Sequence, residues 1–267
     1  MAGPLPTGRL PISSTQVALD LLDAARAEAR PIRTGDGWPE LTLDQAYAVQ
    51  AASVARRVDR GDRLVGLKLG FTSEAKMRQM GVHEVIVGRL TESTLVADGG
   101  CLDRGRLIHP RVEPEIAFRV GRDVDLTDAS TDLRTAVDGV CAALEVIDSR
   151  YAGFRFDLPR VVADNTSAAA FALGPWNVFA PTVTDGLSVT MRTGDGTAVT
   201  GTTDAILGNP LHALDRLGAL GARLGLRLSK GDVILAGAAT EAVPLPTGRT
   251  EVTVQSLGTA VLTVEGA

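Results

Sequence analysis

Histidine and cysteine are scarce in this 267-residue chain, three of the first and two of the second. Cys101 and Cys141 are too few for a disulfide framework and read as reduced thiols. His83, His109 and His212 are scattered, and each reads as a surface or core histidine, not a metal ligand. No basic cluster is present, and the formal charge of −5 argues against nucleic acid as a partner. No apolar stretch approaches the ~18 residues needed to span a bilayer. Met1-Ala2-Gly3-Pro4-Leu5-Pro6 lacks the charged-then-apolar order of a secretory signal, so a cytoplasmic protein with no membrane partner is expected. Also missing are a Gly-x-Gly-x-x-Gly after a strand, a Gly-x-Ser-x-Gly elbow and a phosphate loop. Nucleotide binding and serine hydrolysis therefore have no support. No internal repeat or low-complexity segment stands out.

What remains is ordinary for a globular protein, 45% apolar and 22% charged, and long enough for one large domain or a main domain with a small appendage. Residues 1–12 carry three prolines and read as a loose arm. Ser13-Ser14-Thr15-Gln16 and Thr42-Leu43-Asp44-Gln45 each have capping-box spacing. They predict one helix ended by Pro31 and a second running to about Val58. Strand character begins at Leu64. Leu64 to Gly70 reads as a buried strand holding one charge, Lys68, which either snorkels to solvent or serves a cleft electrostatically or in proton transfer. Thr72 or Ser73 would cap a short helix over 74–80. Thr131 to about Ala142 fits a further helix, and Asn209-Pro210 starts another with a leucine stripe from Leu211 to Leu220. The last 36 residues read as β-structure, with a hairpin turning at Leu257-Gly258.

The chemistry concentrates in carboxylates. Glu113 and Glu115 stand two apart, so a strand would aim both at one spot, and Pro114 between them suggests an edge strand or a strand start. Alone, such a pair reads as a solvated acidic edge. A third carboxylate alters that reading. Glu145 is the only charge in the apolar run Val140 to Ile147, and a buried lone carboxylate must be protonated, paired or bound to metal. Three oxygen donors without a His/Cys set favour Mg²⁺, or Mn²⁺, over zinc. Asp148-Ser149-Arg150-Tyr151 and Asp164-Asn165-Thr166-Ser167 are polar clusters beside apolar segments, readable as capping and turn chemistry.

Five motifs occur in an order that resembles the fumarylacetoacetate hydrolase superfamily, in its branch of 2-oxo acid hydratases and decarboxylases. They are Lys68-Leu69-Gly70-Phe71-Thr72-Ser73, His109-Pro110-Arg111-Val112-Glu113-Pro114-Glu115, Leu144-Glu145-Val146-Ile147-Asp148-Ser149-Arg150, Val162-Ala163-Asp164-Asn165 and Leu207-Gly208-Asn209-Pro210-Leu211. The resemblance implies an α+β fold, a mixed β-sheet roll with flanking helices. It divides the chain into a helical N-terminal region, 1–62, and a catalytic domain, 63–267. It implies a divalent metal on Glu113, Glu115 and Glu145, an active-site lysine at Lys68 and a substrate-lining segment containing Asn165 and Ser167. It also implies a homo-oligomer, with a hydratase as a possible associate. Hydratases of this branch usually carry an aspartate where this chain has Ile86, so the expected reaction is decarboxylation of 2-oxo-3-hexenedioate. Hydration of a 2-oxopent-4-enoate and hydrolysis of an acylpyruvate are the enzymatic alternatives. A metal-stabilised partner subunit is the non-enzymatic one.

Overall fold

A computed structural model describes residues 13–73, 84–97, 99–128, 130–181 and 184–266. The expected arm over 1–12, the short helix over 74–80 and His83 lie outside the described residues.

Two helices come first, α1 (Ser14–Ala27) and α2 (Leu43–Asp59). The Ser13 hydroxyl accepts the Gln16 N–H, and Thr42 and Gln45 close a full capping box, so both helices start where their capping residues place them. The strands then run β1 (Leu64–Gly70), β2 (Ile86–Thr91), β3 (Leu95–Val96), β4 (Cys101–Asp103), β5 (Arg111–Val120), β6 (Val124–Asp125) and β7 (Val137–Ile147). Helix α3 (Leu158–Ala163) leads into β8 (Ala168–Leu173), β9 (Asn177–Val178), β10 (Ser188–Arg192) and β11 (Ala198–Thr202). After α4 (Leu211–Leu224) come β12 (Arg227–Leu228), β13 (Val233–Ala238), β14 (Val243–Pro244), β15 (Gly248–Val254) and β16 (Gly258–Glu265).

The large mixed sheet has the order β2-β1-β13-β5-β7-β8-β3, with β14 and β9 added to β5 and β7. A second sheet, β11-β10-β15-β16-β4, contains the predicted C-terminal hairpin. The main core lies between the sheets and α4, where Ile116, Phe118, Leu144, Met191, Leu214, Leu217 and Leu262 are buried. The N-terminal helices form a separate apolar cluster with Ile86, Tyr151 and Val161 to Ala163. This is the mixed α+β architecture expected from the sequence.

Two local readings change. Residues 137–142 are strand, not helix, because this part of β7 is paired with β5 on one side and, at Gly139 and Val140, with β9 on the other, and only Leu133–Ala136 makes a 3₁₀ turn. Tertiary pairing of a segment rich in valine and alanine overrides its helical spacing. Pro114 sits inside a central strand, not on an edge. It falls where the ladder on one side of β5 passes from β13 to β14, and its carbonyl accepts the Ala239 N–H at 2.8 Å. The missing proline donor therefore meets a break in the ladder. Helix α4 begins at Leu211, one residue later than Asn209-Pro210 predicts, yet Asn209 Oδ1 still accepts the Leu211 N–H at 2.8 Å.

Candidate metal centre

Glu113 and Glu145 are direct cross-strand partners on β5 and β7, and Glu115 follows on the same face, opposite Ala143. Like charges placed opposite one another destabilise a sheet. All three are buried, at 4, 1 and 1% exposure, and each offers an oxygen within 4.8 Å of the others. Lys68 arrives from β1, as the sheet curls, and its Nζ lies 2.8 Å from Glu145 Oε2 and 3.3 Å from the Thr166 carbonyl. At 3% exposure the lysine does not snorkel to solvent. Gly88, its partner on β2, leaves the space that its stem occupies: a Cβ there would come within 2.9 Å of Lys68 Cδ.

Protein charges alone make this cluster costly. Burial drives the Glu115 carboxyl well above its ordinary range and Glu145 adds to the rise, against the pull of Lys68. Glu145 is also raised, by burial first and then by Glu113, despite its ion pair with Lys68. Burial alone would lower Lys68, but Glu145, Glu115 and Glu113 overcome it and hold the ammonium charged. Glu115 Oε2 accepts the Gly237 N–H at 2.8 Å, whereas Glu115 Oε1 and Glu145 Oε1 accept no hydrogen bond. Three carboxylates against one ammonium leave two negative charges, which a divalent cation would balance. The donors are hard oxygens with no soft ligand among them, and orphaned oxygens face the cluster. Magnesium or manganese fits this set.

The floor below is apolar, formed by Leu90, Ala117, Cys141, Ala143, Phe171 and Leu235. Burial pushes the Cys141 thiol up to about 12, so it is an inert neutral wall. Ile86 pairs with Gly70 on the face that carries Lys68, and a Cβ on Gly70 would meet both Thr166 Cγ2 (2.5 Å) and Ile86 Cγ1 (3.0 Å). Glycine there lets the Asn165–Ser167 turn close on the sheet.

That turn is built under strain. Asn165, Thr166 and Ser167 all have positive φ, of 51, 56 and 58°. The Asn165 amide accepts the Arg89 N–H (2.7 Å) and donates to the Arg89 carbonyl (2.8 Å), which fixes the turn to β2. Buried Arg150 bonds to the Asp164 carboxylate and donates to the Asp164 carbonyl at 2.6 Å, clamping the turn from behind. Asp148 takes the Ile108 and His109 N–H groups at 2.8 Å and so ties the approach to β5 to the end of β7. The hydroxyls of Thr166 and Ser167 are buried and accept or donate no hydrogen bond. Sequence reasoning missed Thr166, although it stands between two residues that were singled out. It also missed Gly237, whose N–H orients Glu115 and whose φ of +116° brings it against Thr72. A glycine closing a buried strand was the available signal. A cavity of about 950 Å³ lies elsewhere, beside α4 and lined by Asp204, Ala205, Leu207 and Gly208.

Comparison with known proteins gives consistent results. The family described as "Fumarylacetoacetate (FAA) hydrolase C-terminal" matches residues 67–265. A 4-oxalocrotonate decarboxylase from Pseudomonas sp. is 43% identical, over 91% of this chain and 94% of the relative. A 2-keto-4-pentenoate hydratase from Dechloromonas aromatica (strain RCB) is 35% identical, over 91 and 94%. The solved structure of 4-oxalocrotonate decarboxylase from Pseudomonas putida G7, complexed with magnesium and adipate, superposes with a TM-score of 0.84. It is 34% identical, and the match covers 96% of this chain and all of the other.

Proposed function

This chain belongs to the fumarylacetoacetate hydrolase family, and from that premise we propose that it is a magnesium-dependent decarboxylase of 2-oxo-3-hexenedioate (4-oxalocrotonate). The carrying observation is the buried cluster of Glu113, Glu115 and Glu145 beside Lys68, on an apolar floor. The substrate's C6 carboxylate is a vinylogous β-keto acid. When C5–C6 breaks, its electron pair forms C4=C5, the C3=C4 pair shifts to C2=C3, and the charge ends on the C2 oxygen. CO₂ and, after protonation, 2-hydroxypenta-2,4-dienoate result. Magnesium held by Glu113, Glu115 and Glu145 supplies Lewis-acid stabilisation of that developing charge.

The remaining work falls to the chain. Lys68 holds a positive charge beside the carboxylates and can move a proton at the C2 oxygen. Gly237 fixes one oxygen of Glu115, so the carboxylate does not rotate as charge builds. Ser167 and Thr166 offer hydroxyls with no protein partner to the substrate, and Asn165 serves by holding their turn on β2. Buried Ile86 offers no acid or base where the related hydratases usually carry an aspartate, and the apolar floor disfavours water, which together favour loss of CO₂ over hydration.

In this reading 1–62 is a helical support and 63–267 the catalytic domain. Gln50 of α2 supports the division of labour, donating to the carbonyls of Val87 and Val162 at 2.9 Å and so backing β2 and α3. Among the described residues no helix is long and apolar enough to cross a membrane. A cytoplasmic homo-oligomer that associates with a hydratase completes the reading, supported by kinship with both enzymes. Product analysis tests it: CO₂ release from 2-oxo-3-hexenedioate is expected to exceed hydration of 2-hydroxypenta-2,4-dienoate by the same preparation. Rapid formation of 4-hydroxy-2-oxopentanoate without CO₂ would reassign the chain as a hydratase.

A further inference from the structure

Strand β5 carries more than the two metal-site carboxylates on its inner face. Alternation places Arg111, Glu113, Glu115, Ala117 and Arg119 on that face, while Val112, Ile116 and Phe118 enter the main core. The two arginines mark opposite ends. Arg119 lies beyond the apolar floor, stacked over Trp176 at 5.2 Å and bonded to Asp138 at 2.7 Å. Arg111 lies at the other end, two residues before Glu113, and is exposed. It pairs with no carboxylate among the described residues. Its guanidinium is set over the Phe154 ring at 5.0 Å, and His109 stacks on the same ring at 4.8 Å. Buried Ala117, Cys141, Ala143 and Phe171 lie towards the inner end, and exposed Arg111 marks the solvent-facing end of this strand face.

We propose that Arg111 is the specificity-determining residue for a dicarboxylate, receiving the carboxylate at the far end of a six-carbon 2-oxo acid whose 2-oxo end sits at the glutamates. This rests on the functional reading above and adds the recognition of substrate length and charge. Two residues of strand advance about 6.8 Å. That step suits a chain held at C1 and C2 beside Glu113 and extended along β5. The ring of Phe154 holds the guanidinium without neutralising it, and the planar fork matches a carboxylate in two contacts. Among the described residues, Lys68 and Arg150 near the glutamates and their turn are each engaged by a buried carboxylate, and the Arg89 guanidinium is bonded to Gln50. The distal carboxylate loses its charge as CO₂ forms, so an arginine there holds the bound substrate more strongly than the transition state, and its loss raises KM without lowering kcat.

The test is calorimetric binding, with Mg²⁺ present, of 2-oxoadipate and 2-oxohexanoate. They have the same length and the same 2-oxo end, and differ in the distal carboxylate. The natural protein should bind 2-oxoadipate about tenfold more tightly, as expected of a charge-assisted contact. Arg111→Ala should bind both alike, at the affinity of the monocarboxylate, and Arg111→Lys should recover part of the preference. In turnover, Arg111→Ala should raise KM for 2-oxo-3-hexenedioate about tenfold, with kcat unchanged or higher. Retention of the preference in Arg111→Ala, or its absence in the natural protein, would overturn the proposal. Failure of both 2-oxo acids to bind would remove the site reading and this proposal with it. Selective binding without CO₂ release would overturn only the reaction.

Discussion

Burial and like charge raise the Glu115 and Glu145 carboxyls above their ordinary 4.5, so a cation entering this site displaces protons. The sign follows from linkage. Without the cation, the folded chain holds protons that the unfolded chain releases. The stability tied to these groups is therefore fully present below 4.5 and is lost as pH rises through the raised folded values. Magnesium binding should release protons, and the increase in melting temperature it confers should grow from about pH 5 to about pH 8. Melting curves with and without Mg²⁺ across that range check this; a constant or shrinking increment would contradict it. Lys68 belongs to the same scale. Lys68→Met should retain magnesium binding by calorimetry while turnover falls ~10²–10⁴-fold, the usual contribution of a general acid–base group. A loss of only a few-fold would make the lysine a counter-charge alone.

At the scale of elements, β13 and β1 meet where Gly237 touches Thr72. A Cβ on Gly237 would lie 2.0 Å from Thr72 Oγ1, and the φ of +116° disfavours any side chain. Gly237→Ala should cost about 1–3 kcal/mol of stability and weaken magnesium binding, because the N–H that fixes Glu115 moves with the strand. Unaltered melting and unaltered magnesium affinity would show that the strand end yields without consequence. The glutamates on β5 and β7 were legible because strand alternation and an isolated charge are local signals. The Lys68–Glu145 pair was not, since 77 residues separate its members and only the curl of the sheet joins them. Residues 137–142 failed for a related reason: their state is set by pairing with β5 and β9, outside the local segment. Asn165 and Arg150 were visible as polar clusters, but nothing local shows that one clasps Arg89 and the other Asp164.

At the scale of the molecule, the sheet gathers four buried ionisable groups on an apolar floor, with exposed Arg111 at one end of the same strand face. The helical region backs β2 and α3, which carry Ile86 and lead to the Asn165–Ser167 turn. This arrangement serves a reaction that needs stabilised charge on one oxygen and little water near a diene. The most direct measurement follows CO₂ release from 2-oxo-3-hexenedioate as Mg²⁺ is returned to metal-stripped protein, with natural chain and Glu145→Ala side by side. A decarboxylase that works through this site gives no CO₂ when stripped, recovers it as magnesium saturates, and gives none at any magnesium concentration with Glu145→Ala. CO₂ release from the stripped protein, or full recovery in a folded Glu145→Ala variant, would contradict it.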